Sequence, residues 1–86
     1  MKFEFDPEKS NRNKEKHGID FVDAQVLWND SDRLEVLAKT QTEKRFILIG
    51  KIADKHWTAV VTPREDKIRI ISVRRARKKE VDAYES

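Results

Sequence analysis

The chain has 86 residues, 19 Lys and Arg against 16 Asp and Glu, a net charge of +3 and no cysteine. So short a chain buries only about 60% of the surface it exposes when unfolded, which predicts one domain spanning 1–86 with a thin core and modest stability. Disulfides, thiol nucleophiles and Cys-based zinc sites are excluded, and His17 and His56 are too few for a histidine-rich metal site.

No run approaches the roughly 18 apolar residues of a membrane helix. Met1-Lys2-Phe3-Glu4-Phe5-Asp6 lacks the apolar core of a signal peptide. A soluble, cytoplasmic protein with no membrane partner is therefore expected.

Phe3 and Phe5 flank Glu4, an alternation that predicts a short strand. Asp6-Pro7 opens a helix, with Asp6 as its cap and Pro7 at its first position. The helix runs to His17 and stops at Gly18, a left-handed cap. It is almost wholly polar, so it is expected to pack weakly, through the stems of its long side chains, or against a partner. Asp20 caps a second predicted helix, whose apolar side is Phe21, Ala24, Val26, Leu27 and Trp28. Asn29-Asp30-Ser31-Asp32 is turn chemistry.

Four strands are then predicted, over 33–39, 44–52, 56–62 and 67–74, each carrying alternating or continuous apolar residues. Their separators, Gln41-Thr42-Glu43, Ala53-Asp54-Lys55 and Pro63-Arg64-Glu65-Asp66, are short, as hairpin loops are. No crossover helix fits between them, which argues against a parallel sheet. Residues 75–85, with Val81 and Tyr84 three apart, predict a short terminal helix. The expected architecture is α+β: a four-stranded antiparallel sheet, two N-terminal helices and a short C-terminal helix.

The sharpest chemical feature lies between Arg69 and Lys79. It holds Arg69, Arg74, Arg75, Arg77, Lys78 and Lys79 with no acidic residue among them. Such a cluster attracts polyanions, and guanidinium forks match phosphate oxygens in pairs. Its bland alternative is a solvated basic stretch paired with Glu80, Asp82 and Glu85. Regular alternation puts Arg69 with Ile71 and Val73 on one face and Arg74 with Ile68, Ile70 and Ser72 on the other. If both arginines share a face, a bulge lies between them.

Lys16 and His17 end the first helix, where they complement its macrodipole; His17 is also a candidate general base. His56 reads as a surface residue, Trp28 and Trp57 as core. Arg45 opens a strand and fits either an edge charge or a phosphate contact. No Gly-rich phosphate loop, nucleophile elbow or metal-ligand spacing is present.

Three blocks resemble one family. They are Phe3-Glu4-Phe5-Asp6 with Lys9, Asn13, Lys16-His17-Gly18, Phe21 and Ala24; Arg45 with Gly50; and Arg69-Ile70-Ile71-Ser72-Val73-Arg74-Arg75-Ala76 with Glu80 and Tyr84. The ordered combination resembles the BrnT toxins of type II toxin–antitoxin modules. Phe5 stands where Trp is commoner, and Val73 where a small residue is commoner. The resemblance implies a RelE-like fold and a bacterial ribonuclease that inhibits translation. It also implies a cognate antitoxin with a DNA-binding domain, a complex of two toxins and two antitoxins, and contact with promoter DNA only through the antitoxin.

Metal-free RNA cleavage makes the 2′-hydroxyl the nucleophile and needs no cofactor. The protein must orient the link, stabilise charge on the phosphoryl oxygens and move two protons. Arginine suits the charge but not the protons. Arg69, Arg74 and Arg45 are thus candidate phosphate clamps, with Arg75, Arg77, Lys78 and Tyr84 as further RNA contacts. Lys16, His17 and Glu80 are the candidate proton carriers. Glu80 also fits a plain ion pair and Tyr84 a core position. Two alternatives stand beside the enzyme: a non-catalytic RNA- or protein-binding module of the same fold, and a structural partner whose sheet edge accepts another chain.

Overall fold

In the computed structural model, which describes residues 1–38 and 43–86, five strands form one sheet in the order β1-β5-β4-β3-β2. They are β1 (Lys2–Glu4), β2 (Leu34–Ala38), β3 (Arg45–Ile52), β4 (Lys55–Arg64) and β5 (Lys67–Arg75). Helix α1 (Pro7–His17) and a 3₁₀ segment (Asp23–Asn29) separate β1 from β2, and α2 (Lys78–Glu85) follows β5.

The class is α+β as expected, but the sheet has five strands and is mixed. The fifth is β1, which pairs in parallel with β5 through Phe3↔Ile68 and Glu4↔Arg69. Most of the chain connects these two strands, so the short loops that forbid parallel neighbours elsewhere impose nothing here. The second N-terminal helix is a 3₁₀ segment. Its buried residues, Ala24 and Leu27, stand three apart, as does Phe21 before them, and a three-residue period is that of the 3₁₀ turn.

Asp20 caps as expected, its Oδ1 accepting from the N–H groups of Val22 and Asp23. So does Asp6, which accepts from Glu8 N–H at 2.9 Å, and Gly18 closes α1 with φ of 83°. Two hairpins turn through Ala53-Asp54 and Glu65-Asp66, and β4 runs through Pro63 to Arg64, beyond its predicted end. The predicted loop residues Gln41 and Thr42 lie outside the described residues, as do Lys39 and Thr40.

Opposed residues share a face of the sheet. One face carries Phe46, Leu48, Trp57, Ala59, Val61, Ile70 and Val73, and on it Ile19, Phe21, Ala24 and Leu27 complete the core. Gly50 gives this layer room: a Cβ there would lie 3.1 Å from Leu27 Cδ2. Phe3 and Phe5 join the same layer, edge-on to Trp28 and Phe21 respectively.

The polar helix α1 is fastened by hydrogen bonds rather than by the apolar stems the sequence suggested. Among the described residues no strand pairs with the β1 edge of β5 beyond Glu4↔Arg69, and the buried amide of Asn13 fills it. Asn13 Nδ2 donates to Val73 O at 2.9 Å and to Ile19 O at 2.8 Å, while Oδ1 accepts from Val73 N–H. Ser10 Oγ accepts from Phe21 N–H in the same layer. Asn13→Ala strands three buried backbone groups. It is expected to cost about 2–4 kcal/mol in urea unfolding, whereas a loss below about 0.5 kcal/mol would show that the edge finds another cover.

Candidate nucleic-acid interface

Along β5 the pairing Val60↔Ser72 is followed by Val61↔Ile70, which leaves Ile71 as an extra residue. This is a β-bulge, and it reverses the alternation on either side of itself. Arg69 and Arg74 therefore share a face, the one turned away from the core. Arg69 stands opposite Thr62, Arg74 opposite Thr58, and Ser72 opposite Val60 between them.

Arg45 belongs to the same face. It pairs with Ala38, and the β3–β4 register that joins Phe46 to Val61 carries it on to Thr62. Arg45 and Arg69 thus flank Thr62 across two strand spacings, roughly 10 Å. Arg69 and Arg74 are separated by four residues of β4, roughly 13 Å. Val36, Ile47 and Val60 floor the space between these corners.

Each corner arginine is held by a carboxylate. Arg69 Nη1 donates to Glu4 Oε2 at 2.9 Å, and Arg45 lies 3.3 Å from Glu43. Arg74 grips Glu80 with both fork nitrogens, at 2.7 and 2.9 Å. Glu80 also accepts from Thr58 Oγ1 at 3.0 Å and from Arg77 N–H at 2.8 Å. These bonds, Arg74's foremost, outweigh burial and hold its pKa at about 2. A carboxylate so depressed is a weak base; its evident work is to anchor α2.

The rest of α2 is fastened alongside. Tyr84 Oη donates to Asp30 Oδ2 at 2.6 Å, which raises the phenol pKa to about 12. Glu85 meets His56 Nε2 at 2.6 Å, and the His56 ring stands edge-on to Tyr84. The helix therefore roofs one end of the face, where Ile49 is only 4% exposed, and leaves the other end open.

The predicted residues divide. Arg45, Arg69 and Arg74 come together, with Glu80 and Tyr84 beside them on α2. Lys16 and His17 end α1 in the helical layer, and no hydrogen bond or ion pair joins them to these arginines among the described residues. Arg75 lies on the opposite face, its guanidinium 5.4 Å above the Trp57 ring. Arg77 leads into α2, and Lys78 makes an exposed pair with Asp82 at 3.3 Å. The basic run is thus not one patch.

His56 is the residue that sequence reasoning passed over. It lies two residues before Thr58 on the arginine face, with its side chain 18% exposed. Alternation along β4 puts it on the face of Thr58, and it is the pairing of Thr58 with Arg74 that makes this the arginine face. Among the described residues, no cluster of His, Asp or Glu could hold a metal ion, and no helix is long and apolar enough to cross a membrane.

Comparison with curated proteins finds no match. A family model described as the ribonuclease toxin BrnT of type II toxin–antitoxin systems matches residues 5–80. That span contains β5 with its bulge, all three corner arginines and Glu80, and the chain belongs to the BrnT family.

Proposed function

We propose that the chain is a metal-independent endoribonuclease of the bacterial cytoplasm that inhibits translation, held inactive by a cognate antitoxin. The observation that carries this reading is the bulge at Ile71. By putting Arg69 and Arg74 on the face that already holds Arg45, it frames an open surface with three guanidinium groups. RNA laid there exchanges its phosphate oxygens for the carboxylates of Glu4 and Glu43, while Arg74, still tied to Glu80, adds its guanidinium at the α2 end. The 2′-hydroxyl attacks the neighbouring phosphorus, the 5′-oxygen leaves, and the arginines stabilise the charge that builds on the phosphoryl oxygens. The antitoxin carries the DNA-binding domain, the complex contains two copies of each chain, and promoter DNA is touched only through the antitoxin.

The proton transfers need a group on the same face, and His56 is the imidazole there. Lys16 and His17 sit in the other layer, and Glu80 is too weak a base. Purified chain with a chelator is expected to cut RNA into fragments ending in 2′,3′-cyclic phosphate. His56→Ala is expected to lower that rate by roughly 10²–10⁴-fold, while His17→Ala leaves it within a few-fold. The reverse ranking would return the proton carrier to the end of α1. RNA left intact by folded protein, with and without ribosomes, would overturn the enzyme reading in favour of a binding module.

A further inference from the structure

Two hollows at the β3–β4 turn lie outside the arginine frame, one of them reaching Glu85, the partner of His56. One, of 480 Å³, is bounded by the 3₁₀ segment, the turn and the end of α2. The other, of 510 Å³, lies between the 3₁₀ segment and the start of β4. They share Val26, Ile52 and Ala53, so they are two halves of one groove. Ile19 and Trp57 extend its apolar wall. Val26 is 47% exposed, and Val22, one turn earlier, is 60% exposed. Neighbouring bare valines beside a groove form the kind of apolar surface that another chain covers.

Charge says which chain. Asp23 and Asp54 rim one half, Asp32 and Glu85 the other, against Lys51 and Lys55. Five carboxylates, Asp23, Asp30, Asp32, Asp54 and Glu85, thus line the groove against two lysines, a local excess that repels nucleic acid and attracts a basic protein segment. A segment that is also apolar along one side is an amphipathic helix, with anchors three or four residues apart.

The geometry points to this groove as the docking site for a basic amphipathic helix of the antitoxin; the inference rests on the toxin reading for the identity of that partner. Docking there leaves Arg45, Arg69 and Arg74 to other parts of the antitoxin. The groove tethers the inhibitor independently of whatever covers the arginine face.

The test uses the full chain and the antitoxin encoded beside it, with affinity measured by calorimetry and the contact mapped by hydrogen exchange. Val26→Asp, and separately the exposed charge reversal Asp23→Lys with Asp54→Lys, are each expected to weaken binding at least tenfold with the fold intact by circular dichroism. The effect of the charge reversal should shrink as salt rises. Leu37→Asp, on the exposed edge strand β2, should change affinity less than threefold. Protection on binding should include 19–26 and 52–57.

Parental affinity in both groove variants would overturn the proposal. So would protection confined to β2 or to the arginine face, self-association of the chain through the groove, or no binding of antitoxin by folded chain. Binding is read without reference to cleavage, so a chain that cuts no RNA still tests the groove.

Discussion

Arg69→Ala and Arg74→Lys are each expected to lower RNA cleavage by roughly 10²–10³-fold, the effect of removing one preorganised donor from a developing oxyanion. The two substitutions ask different questions. Arg69 is paired with Glu4 across the β1–β5 register, so its truncation removes a clamp and frees a carboxylate that is partly open to solvent. Stability should change by less than about 1 kcal/mol. Arg74 is tied into α2, and truncating it to alanine would leave Glu80 without its countercharge, mixing loss of fold with loss of clamp. Lysine keeps the charge but offers a point donor in place of a planar fork. Initial rates on one RNA substrate, set beside thermal melts, separate the two effects. Folded variants that cleave at the parental rate would show that phosphate is not held between these arginines.

The same residues show what the sequence discloses and where it stops. Local chemistry was legible. Asp6-Pro7 and Gly18 bound α1, Asp20 caps the turn after it, and Trp57 is core. Those outcomes depend on a few adjacent residues. Partnership between distant segments was not legible. The alternation of Phe3 and Phe5 marks a strand but carries nothing about pairing with Ile68, a contact between segments more than sixty residues apart. The polar face of α1 reads as weakly packed because a buried Asn that mimics a strand partner looks, in sequence, like any surface Asn. The two arginines lie between these cases. Their five-residue separation puts them on opposite faces of a regular strand, and sequence shows that only a bulge could unite them. That Ile71 supplies it depends on how Val60 and Val61 pair, a property of β4 as much as of β5.

Acid is expected to loosen α2, and Glu80→Gln to remove that response. The Glu80 pKa falls from 4.5 to about 2, chiefly through the Arg74 hydrogen bonds, against desolvation, with further help from Arg77 N–H and Thr58 Oγ1. The unfolded chain therefore takes up this proton at a higher pH than the folded one. The resulting stability is fully present above pH 4.5 and drains away as pH falls through about 2. With its rim open to solvent, the site is worth on the order of 2 kcal/mol. Glutamine cannot balance Arg74, and it turns an NH₂ group toward donors, so Glu80→Gln should lose a similar amount near neutral pH. Other carboxylates also titrate, and the informative quantity is a difference of differences: the stability gap between parent and variant, measured by urea unfolding at about pH 5 and again at about pH 3. That gap should narrow in acid. A gap of constant size would mean that the anchor does not depend on the charge of Glu80, and that Thr58 and the Arg77 N–H hold α2 by themselves. Because α2 roofs the end of the face where Arg74 and His56 sit, the same pH series read by hydrogen exchange should show 78–85 opening before the core strands do.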